Sequence, residues 1–478
     1  MKRLGIAAVL ALVAAAGWPT AAVADATAET LRTVLDKVQP SLVIVSFYIE
    51  ADDGRKAEAR FLGSVVGENN LVMFTSLVIR DNVAISQYKD FRVIVPGAVD
   101  GKSYTAEYLG KDDVAQVAFV RVTDPSAPKL PPLEFEAAEL QIGDPVVGFG
   151  NLGEPDAYKV MVQDTRVQVV IDKPFRLYPV DGDLGVPGTP VVTFDGKVVG
   201  LATIYVFNRG TNAQPQAGRT QIVWPTERFL ERMKNPPEGG QQVKRPWMGV
   251  AGLEAVSEDL AEYHGLGERR GVVVGRIIAG SPSDKAGIKV EDLILSIGGK
   301  DIKGTEGQLV TAFQNEIRER KVGETVDVEV FRDGKVVPLK VTLEPQPKSE
   351  AEAVRYRNKQ FGLGVRELVL DDTLVRELPN DEKGVIVHFI DSSGWADAAG
   401  LSDGDIIKKV QDREIAGIED FERIFKEEVE KKPKEIVLFV LRGLKDKQTQ
   451  LLRMEPRWDA AESGGGTSPG GAPSEPQP

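Results

Sequence analysis

Short runs of β-branched and aromatic residues recur through the first half of the chain. Ser41–Phe47, Phe91–Val95 and Val191–Thr203 are examples, and turn residues separate such runs. This pattern predicts short strands. Because many of them fall between about residues 26 and 233, the pattern favours a β-barrel or a β-sandwich. Pro225–Met233 is the exception, since its pattern predicts a closing helix.

An internal repeat fills the second half of the chain. Five short segments recur in the same order at a nearly constant offset, which predicts duplication of one whole domain rather than a solenoid. The pairs are Met248–Val250 with Leu363–Val365, Gly271–Val274 with Gly384–Val387, Ala286–Ile288 with Ala399–Leu401, Asp292–Ile294 with Asp405–Ile407, and Val330–Arg332 with Val440–Arg442. Each copy also has one amphipathic helix, marked by Leu309, Phe313 and Ile317 in the first and by Phe421, Ile424, Phe425 and Val429 in the second.

Polar stretches set the predicted domain boundaries. Residues 236–245, rich in Pro, Gly and Gln, predict a linker, and the charged residues 346–359 predict a second one. Residues 459–478 are mostly Gly, Ser, Pro and Glu and are predicted to be disordered, because they cannot bury enough apolar surface. The predicted folded segments are 26–235, 246–345 and 360–456.

The N-terminus has the layout of a secretory signal peptide. Lys2 and Arg3 precede an apolar run, and Ala22-Val23-Ala24 forms a small-x-small cleavage site. Residues 1–24 are therefore predicted to be removed on export to the periplasm or cell envelope. An uncleaved membrane anchor is the alternative.

Composition removes several classes of function. The net charge is −13 and no basic block is present, which argues against a nucleic-acid partner because phosphate binding needs clustered Lys and Arg. The absence of cysteine excludes disulfides, thiol nucleophiles and Cys-zinc sites. The two histidines, His264 and His388, fall in separate repeats and make a poor metal site. No metal and no cofactor is predicted.

The repeated units resemble PDZ domains. Trp247-Met248-Gly249-Val250 and Gly362-Leu363-Gly364-Val365 match the carboxylate-binding loop of that family. A glycine there lets the backbone turn its N–H groups toward a peptide carboxylate, and the next strand offers an edge for peptide pairing. The resemblance implies that these loops bind protein C-termini. The second pocket is expected to differ, since Gly362 stands where the first copy has Trp247.

The first half carries a second resemblance. Leu35–Val43 is similar to the opening helix end and first strand of the HtrA/Deg family of envelope serine proteases, and Ala138–Asn151 follows that family's E-L-x-x-G-D-x-V-x-x-x-G-N segment. With two PDZ-like repeats, the chain is identified as a member of this family over nearly all of its mature length. The resemblance implies a mainly β fold with α+β modules, in which a trypsin-like double β-barrel precedes two PDZ-like domains.

The family's catalytic positions hold residues that cannot catalyse. Such a peptidase needs a Ser nucleophile, a His base and an Asp that orients the His. Alignment on Thr75 puts Val78 at the His position, or Leu77 after a one-residue slip, while Gln116 and Pro187 fall at the Asp and Ser positions. Proline also lacks the backbone N–H that helps to bind the oxyanion. Independently of any alignment, no histidine lies between residues 26 and 235.

Other polar residues near these positions have simpler interpretations. Asp112 and Asp113 are interpreted as parts of a solvated turn. Thr189 or Ser76, with Lys173 as a base, is the alternative for a rebuilt hydrolase, but nothing in the sequence gives Lys173 an activating context.

The sequence therefore favours an exported pseudoprotease that binds unfolded or C-terminal segments of envelope proteins, as a scaffold or a chaperone-like quality-control factor. Two alternatives stay open: an active endopeptidase with a non-standard site, and an adaptor of an active paralogue. The resemblance also implies a homo-oligomer, with a trimer among the candidates. Whether the chain's own linker occupies a PDZ-like groove is left open by the sequence.

Overall fold

The computed structural model describes residues 20–97, 102–172, 175–208 and 217–458. Most of the predicted signal peptide, Lys173 and the predicted disordered tail lie outside these ranges. The chain divides into two compact units, with the main division between Gln346 and Pro347. No helix within the described ranges combines the length and the hydropathy that crossing a membrane requires.

The barrel region begins with a long helix, α1, and contains thirteen of the strands in the described residues. Its helices are α1 Thr20–Val38 and α2 Leu230–Lys234. Its strands are β1 Leu42–Glu50, β2 Lys56–Gly67, β3 Leu71–Thr75, β4 Tyr88–Ile94, β5 Ser103–Asp112, β6 Val117–Val122, β7 Pro145–Asn151, β8 Val160–Arg166, β9 Tyr178–Pro179, β10 Pro190–Thr193, β11 Val198–Asn208, β12 Ala217–Pro225 and β13 Gln241–Gln242.

These strands form two six-stranded barrels. In the first, the order β5-β4-β1-β2-β3-β6 closes on itself through pairing of β5 with β6. In the second, the order is β8-β7-β10-β11-β12-β9, and a bridge between Val167 and Val180 joins its two ends. Buried valines, leucines and phenylalanines from the inward positions fill both interiors. The predicted trypsin-like double barrel is confirmed.

The first repeat is an α+β module around one amphipathic helix. Its helices are α3 Glu258–Tyr263, α4 Pro282–Lys285 and α5 Glu306–Arg318. Its strands are β14 Pro246–Trp247, β15 Val250–Ala251, β16 Glu254–Ala255, β17 Val272–Val273, β18 Arg276–Ile277, β19 Leu293–Ile297, β20 Lys300–Asp301, β21 Thr325–Arg332, β22 Lys335–Thr342 and β23 Glu344–Pro345. The predicted stripe Leu309, Phe313 and Ile317 is buried in the core of this module.

The second repeat has the same plan with a more continuous sheet. Its helices are α6 Leu370–Val375, α7 Trp395–Ala398 and α8 Ile418–Glu430. Its strands are β24 Arg355–Asn358, β25 Leu363–Glu367, β26 Val385–Ile390, β27 Ile406–Val410, β28 Arg413–Glu414, β29 Ile436–Arg442 and β30 Gln448–Met454. The strand order is β24-β25-β26-β27-β29-β30, and β28 pairs with β27.

A buried ion pair occurs at the same place in both repeats. Arg332 donates two hydrogen bonds of 2.6 Å to the carboxylate of Asp292, and a third of 2.7 Å to a main-chain carbonyl oxygen. Arg442 makes the same three contacts, at 2.7 and 2.6 Å to Asp405 and at 2.7 Å to the equivalent carbonyl. Both carboxylates are almost fully buried. We call this pair the Asp–Arg clamp, and its recurrence supports the predicted duplication at the level of atoms.

Both predicted linkers need correction, because each contributes a strand. Within 236–245, Gln241 and Gln242 form β13, which pairs in parallel with Gly110 and Lys111 of β5. A methyl group on Gly110 would lie 2.2 Å from the Gln241 carbonyl oxygen, so glycine is what allows this approach. Within 346–359, residues 355–358 form β24. Polar composition suggested flexible segments, but backbone pairing needs no apolar side chains.

Candidate functional site

The three positions aligned with a catalytic triad lie on segments that contact one another. Val78 ends a 3₁₀ turn that follows β3, Gln116 precedes β6, and Pro187 lies in the turn before β10. The Ser76 N–H donates to the Gln116 carbonyl oxygen at 3.2 Å. Gly188 packs so tightly on Thr75 that a methyl group there would lie 2.7 Å from the Thr75 nitrogen. The fold therefore assembles the cleft of a trypsin-like peptidase from these segments.

Gln116 is held in place by its backbone conformation and by one side-chain hydrogen bond. It adopts a left-handed backbone conformation with φ of 59°. Its side-chain Oε1 accepts a hydrogen bond of 2.9 Å from the hydroxyl of the buried Thr203. An amide in this place can hold a hydroxyl but carries no negative charge to stabilise an imidazolium.

Hydrogen bonds from side-chain amides hold the loop that would carry the nucleophile. The Gln221 Oε1 accepts from the Leu184 N–H at 2.5 Å. Its Nε2 donates to the Asp183 carboxylate at 2.7 Å and to the Gly185 carbonyl oxygen at 3.1 Å. Asp183 also accepts from the Gln163 Nε2 at 3.3 Å. These contacts fix the loop in one conformation before Pro187.

Neither position of this loop that aligns with an oxyanion donor offers a free N–H among the described residues. In trypsin-like peptidases the two donors are the N–H of the nucleophile and the N–H two residues earlier. Pro187 has no N–H, and the Gly185 N–H donates to the Asp183 carboxylate at 2.8 Å. The Gly188 N–H is bonded at 2.7 Å to the Ala202 carbonyl oxygen. Sequence reasoning found the first loss, whereas the second depends on a side-chain contact that no motif indicates.

The hydroxyls named for a rebuilt site are both buried. Thr189 is 0% exposed, and its Oγ1 donates to the Val186 carbonyl oxygen at 2.9 Å. Ser76 is 1% exposed, and its Oγ has no hydrogen-bond partner among the described residues. Lys173, the suggested base, lies outside the described residues. The described geometry thus gives neither hydroxyl access to a substrate.

The interpretation of Asp112 and Asp113 as a solvated turn is wrong. Asp112 is buried, accepts from the Val114 and Ala115 N–H groups at 2.9 and 3.0 Å, and pairs with Arg232 at 2.6 Å. Asp113 pairs with the buried Lys111 at 3.1 Å. The two carboxylates fix the turn that leads to the cleft, so their role is structural.

Apolar side chains are exposed beside each element of the cleft. Leu77 precedes Val78 and is 56% exposed. Val186 precedes Pro187, and Ile204 follows Thr203, and both are also exposed. Sequence reasoning missed this feature. The available signal was their adjacency to the catalytic positions, and only the fold reveals their exposure.

The loop at Gly249 in the first repeat, for which a carboxylate-binding role is predicted, is a tight glycine turn. Gly249 has φ of 86°, and a methyl group there would lie 2.1 Å from the Ser281 Cβ. The Gly249 carbonyl oxygen accepts from the Ile278 N–H at 3.0 Å, and the Met248 carbonyl oxygen from the Ser283 N–H at 2.9 Å. Trp247 and Val250 flank the loop and are half-buried.

The equivalent loop in the second repeat lies two residues earlier than the sequence alignment placed it. The Gly362 carbonyl oxygen accepts from the Asp391 N–H at 2.8 Å, and the Phe361 carbonyl oxygen from the Ala396 N–H at 3.1 Å. Gly362 also has the positive φ, 66°. Gly362 therefore corresponds to Gly249, and Leu363, Gly364 and Val365 belong to β25. Two overlapping apolar-Gly-apolar patterns, at 361–363 and 363–365, caused the error.

The two histidines are far from the cleft segments in the chain, and His388 Nδ1 lies 3.2 Å from the Asp52 carboxylate. The His264 ring packs against Phe331 with centroids 5.2 Å apart. His388 lies in β26, with Nδ1 3.4 Å from Arg355 Nη1. In the described part of the chain, no group of three or more His, Cys, Asp or Glu residues could hold a metal ion.

A double barrel of the trypsin type joined to PDZ-like repeats defines the class of PDZ-bearing serine peptidases and their homologues. The family model of the trypsin-like peptidase domain matches residues 62–201, and that of the PDZ domain matches residues 249–343. These two matches, together with the relatives that follow, support a member of the HtrA/Deg family.

Named relatives support this assignment. The "Periplasmic pH-dependent serine endoprotease DegQ" of Escherichia coli (strain K12) is 24% identical over 87% of this chain and 89% of its own length. A "Probable periplasmic serine endoprotease DegP-like" of Chlamydia trachomatis is 26% identical over 72% of this chain and 66% of its own length. The chain thus spans about two thirds of the length of the first curated relatives that it matches.

A comparison with solved structures finds a similar fold. The solved structure "HtrA-type protease AlgWS227A with decapeptide" has a TM-score of 0.51 and 18% identity, and it covers 66% of this chain and 98% of that one. Because the curated relatives are named as periplasmic proteins, the predicted export is confirmed and the chain is periplasmic.

Proposed function

We propose that this protein is a periplasmic pseudoprotease that binds peptides and unfolded proteins without cleaving them. One observation carries the proposal: residues 26–235 contain no histidine, and Pro187 stands where the nucleophile belongs. In a Ser-His-Asp triad of the same chemistry on another fold, losing the nucleophile or the base lowers kcat about a million-fold. The loss of an oxyanion donor lowers the rate by a further 100- to 1000-fold, roughly.

The former cleft supports a binding role. The exposed Leu77, Val186 and Ile204 offer apolar contacts beside a loop that is held rigid by Gln221. Unfolded proteins expose the apolar side chains that such a surface would contact. We propose that unfolded segments of envelope proteins bind there and keep their peptide bonds intact.

The repeats support recognition of peptide C-termini. The loop at Gly249 is the kind of glycine turn that presents backbone N–H groups to a carboxylate. The strand that follows would pair with the peptide, and the side chains around α5 would contact its last residue. Assembly as a homo-oligomer, or with an active paralogue, belongs to the same proposal.

Casein hydrolysis tests the central claim. Purified full-length protein is incubated with fluorescein-labelled casein, and a fluorophosphonate probe is applied in parallel. We expect no release of fluorescence and no labelling. If casein is cleaved and the cleavage disappears in both the Thr189→Ala and the Ser76→Ala variant, the activity belongs to this protein and not to a contaminant. That result would overturn the proposal. A binding arm with reduced, carboxymethylated α-lactalbumin measures retention of an unfolded chain, and the absence of retention contradicts the holding role.

An endopeptidase with a non-standard site is the second candidate, and the names of the relatives favour it, since they are called serine endoproteases. The casein assay separates the two. The adaptor hypothesis makes a different prediction, namely a stoichiometric active protease in a pull-down from the native periplasm. Recovery of misfolded clients alone would contradict it.

A further inference from the structure

The peptide-binding edge of the second repeat is already paired. A PDZ ligand adds an antiparallel strand to the free edge of the strand that follows the carboxylate-binding loop. In this repeat that strand is β25, whose one edge pairs with β26. Its other edge pairs with β24, in a register that sets Arg355 opposite Arg366 and Asn358 opposite Leu363. β24 thus runs toward the loop at Gly362, in the direction of a bound peptide.

The side chain of Tyr356 fills the space that faces the helix. Its ring lies 5.9 Å from the ring of Phe421 on α8, in an edge-to-face arrangement. The Lys426 ammonium lies over the same ring at 5.7 Å from its centroid. Alternate side chains of an added strand point toward the helix of a PDZ domain. Tyr356 therefore takes the place of a ligand side chain between β25 and α8.

The loop itself is also satisfied from within the chain. The Asn358 Oδ1 accepts a hydrogen bond of 3.1 Å from the Phe361 N–H. The Lys359 carbonyl oxygen accepts from the Gly362 N–H at 3.3 Å. These are N–H groups of the loop that would bind a terminal carboxylate. An amide oxygen and a main-chain oxygen thus occupy the positions of carboxylate oxygens.

The first repeat differs at each of these points. Among the described residues, β15 pairs with β18 alone, which leaves its other edge without a strand. The segment that precedes its loop is bound elsewhere, since β13 pairs with β5 and the Val243 N–H donates to the Lys111 carbonyl oxygen at 2.8 Å. Val250 is half-buried, whereas its counterpart Leu363 is fully buried.

We propose that the second repeat is a PDZ domain closed by its own strand β24, and that C-terminal peptides bind to the first repeat alone. The second half of this statement rests on the peptide-binding role proposed above, whereas the closure of the second repeat does not. A tethered segment has an effective concentration on the order of millimolar, so a free peptide of micromolar affinity competes with it poorly.

Hydrogen exchange of the full-length protein tests the closure without any ligand. We expect the β24 amides that point toward β25 to be protected to the same degree as those of β25. Asn358→Ala removes the acceptor for the Phe361 N–H and should speed exchange of β24 by about tenfold, the equivalent of one hydrogen bond. Asn358→Asp keeps an acceptor and serves as the matched control. Unprotected β24 amides in the unmodified protein would overturn the proposal, whatever the variants do.

Equilibrium dialysis tests which repeat binds. The probe is a pool of fluorescein-labelled decapeptides with randomised sequence, an apolar last residue and a free carboxylate, and the amidated pool is the control. We expect saturation near one peptide per chain for the unmodified protein and for Asn358→Asp, and near two for the Tyr356→Ser, Asn358→Ala double variant. Two per unmodified chain contradicts closure. If the unmodified chain binds no peptide while the β24 amides are protected, peptide binding by the first repeat is refuted. The closure of the second repeat by β24 is then still supported.

Discussion

Removing the arginine of the first Asp–Arg clamp should destabilise the first repeat strongly. In Arg332→Ala, the carboxylate of Asp292 keeps one backbone donor, the Lys289 N–H at 2.7 Å, and loses its two charged hydrogen bonds. Asp292 is 1% exposed in the intact pair, so its carboxylate depends on protein donors rather than on water. Breaking a buried pair in this way costs about 3–5 kcal/mol. The lower end applies, because the Arg332 side chain is 21% exposed.

Hydrogen exchange resolved by peptide is the suitable assay, because several domains unfold in this chain and no single melting temperature describes them. A loss of about 3 kcal/mol raises the exchange rates of the core amides in β19 and β21 by roughly two orders of magnitude. Arg442→Ala should do the same in β27 and β29 and leave the first repeat unchanged.

The matched control is Lys340→Ala on β22. Lys340 pairs with Asp327 at 2.7 Å, but both side chains are at least 70% exposed. Exposed pairs contribute less than about 1 kcal/mol, so exchange should change less than about fivefold. The reasoning fails if Arg332→Ala and Lys340→Ala behave alike, because burial of the carboxylate would then not decide the cost.

Three further predictions concern the barrels. Gly188→Ala forces a side chain onto a φ of 89° and against Thr75, so the free energy of opening measured by peptide-resolved hydrogen exchange at β3 and β10 should fall by about 2 kcal/mol or more. Gln221→Ala removes three hydrogen bonds from the nucleophile loop, and exchange at residues 183–189 should rise at least tenfold while the barrel cores stay protected. Asp112→Ala leaves the Val114 and Ala115 N–H groups without their acceptor, and limited proteolysis should cut this turn faster than in the unmodified protein.

The fold class was predictable because its signals are local and repeated. β-branched runs marked the strands, and the recurrence of Asp292 and Arg332 as Asp405 and Arg442 marked the duplication. The clamp explains why these residues recur, since each pair satisfies a buried charge. The register of the carboxylate-binding loops was not predictable in the same way. Phe361-Gly362-Leu363 and Leu363-Gly364-Val365 fit the pattern equally, and long-range backbone hydrogen bonds distinguish them.

The two short strands in the predicted linkers escaped sequence reasoning for a physical reason. β13 and β24 have two and four residues; β13 is held by pairing with the distant β5, whereas β24 pairs with β25, the next strand in the chain. A period of two cannot be read from so few positions. Tyr356 between Arg355 and Arg357 was the single hint of alternation.

The assignment of the candidate site stays a prediction from residue types, and its geometry could not be read from the sequence. The motif positions of Val78, Gln116 and Pro187 came from the sequence, and the fold brings their segments together. The hydrogen bond from the Gly185 N–H to Asp183 depends on a side-chain conformation that no spacing rule gives. The same holds for the hydrogen bonds that Gln221 makes with this loop.

Pairing of β13 with β5 makes the connection before the first repeat resistant to a pulling force. The backbone of this connection pairs with the barrel at Gly110 and Lys111, so the chain is held against the barrel there. A force applied along this connection would load these hydrogen bonds in shear, so they would have to break together. The first repeat is therefore attached to the barrel by backbone pairing that is only two residues long.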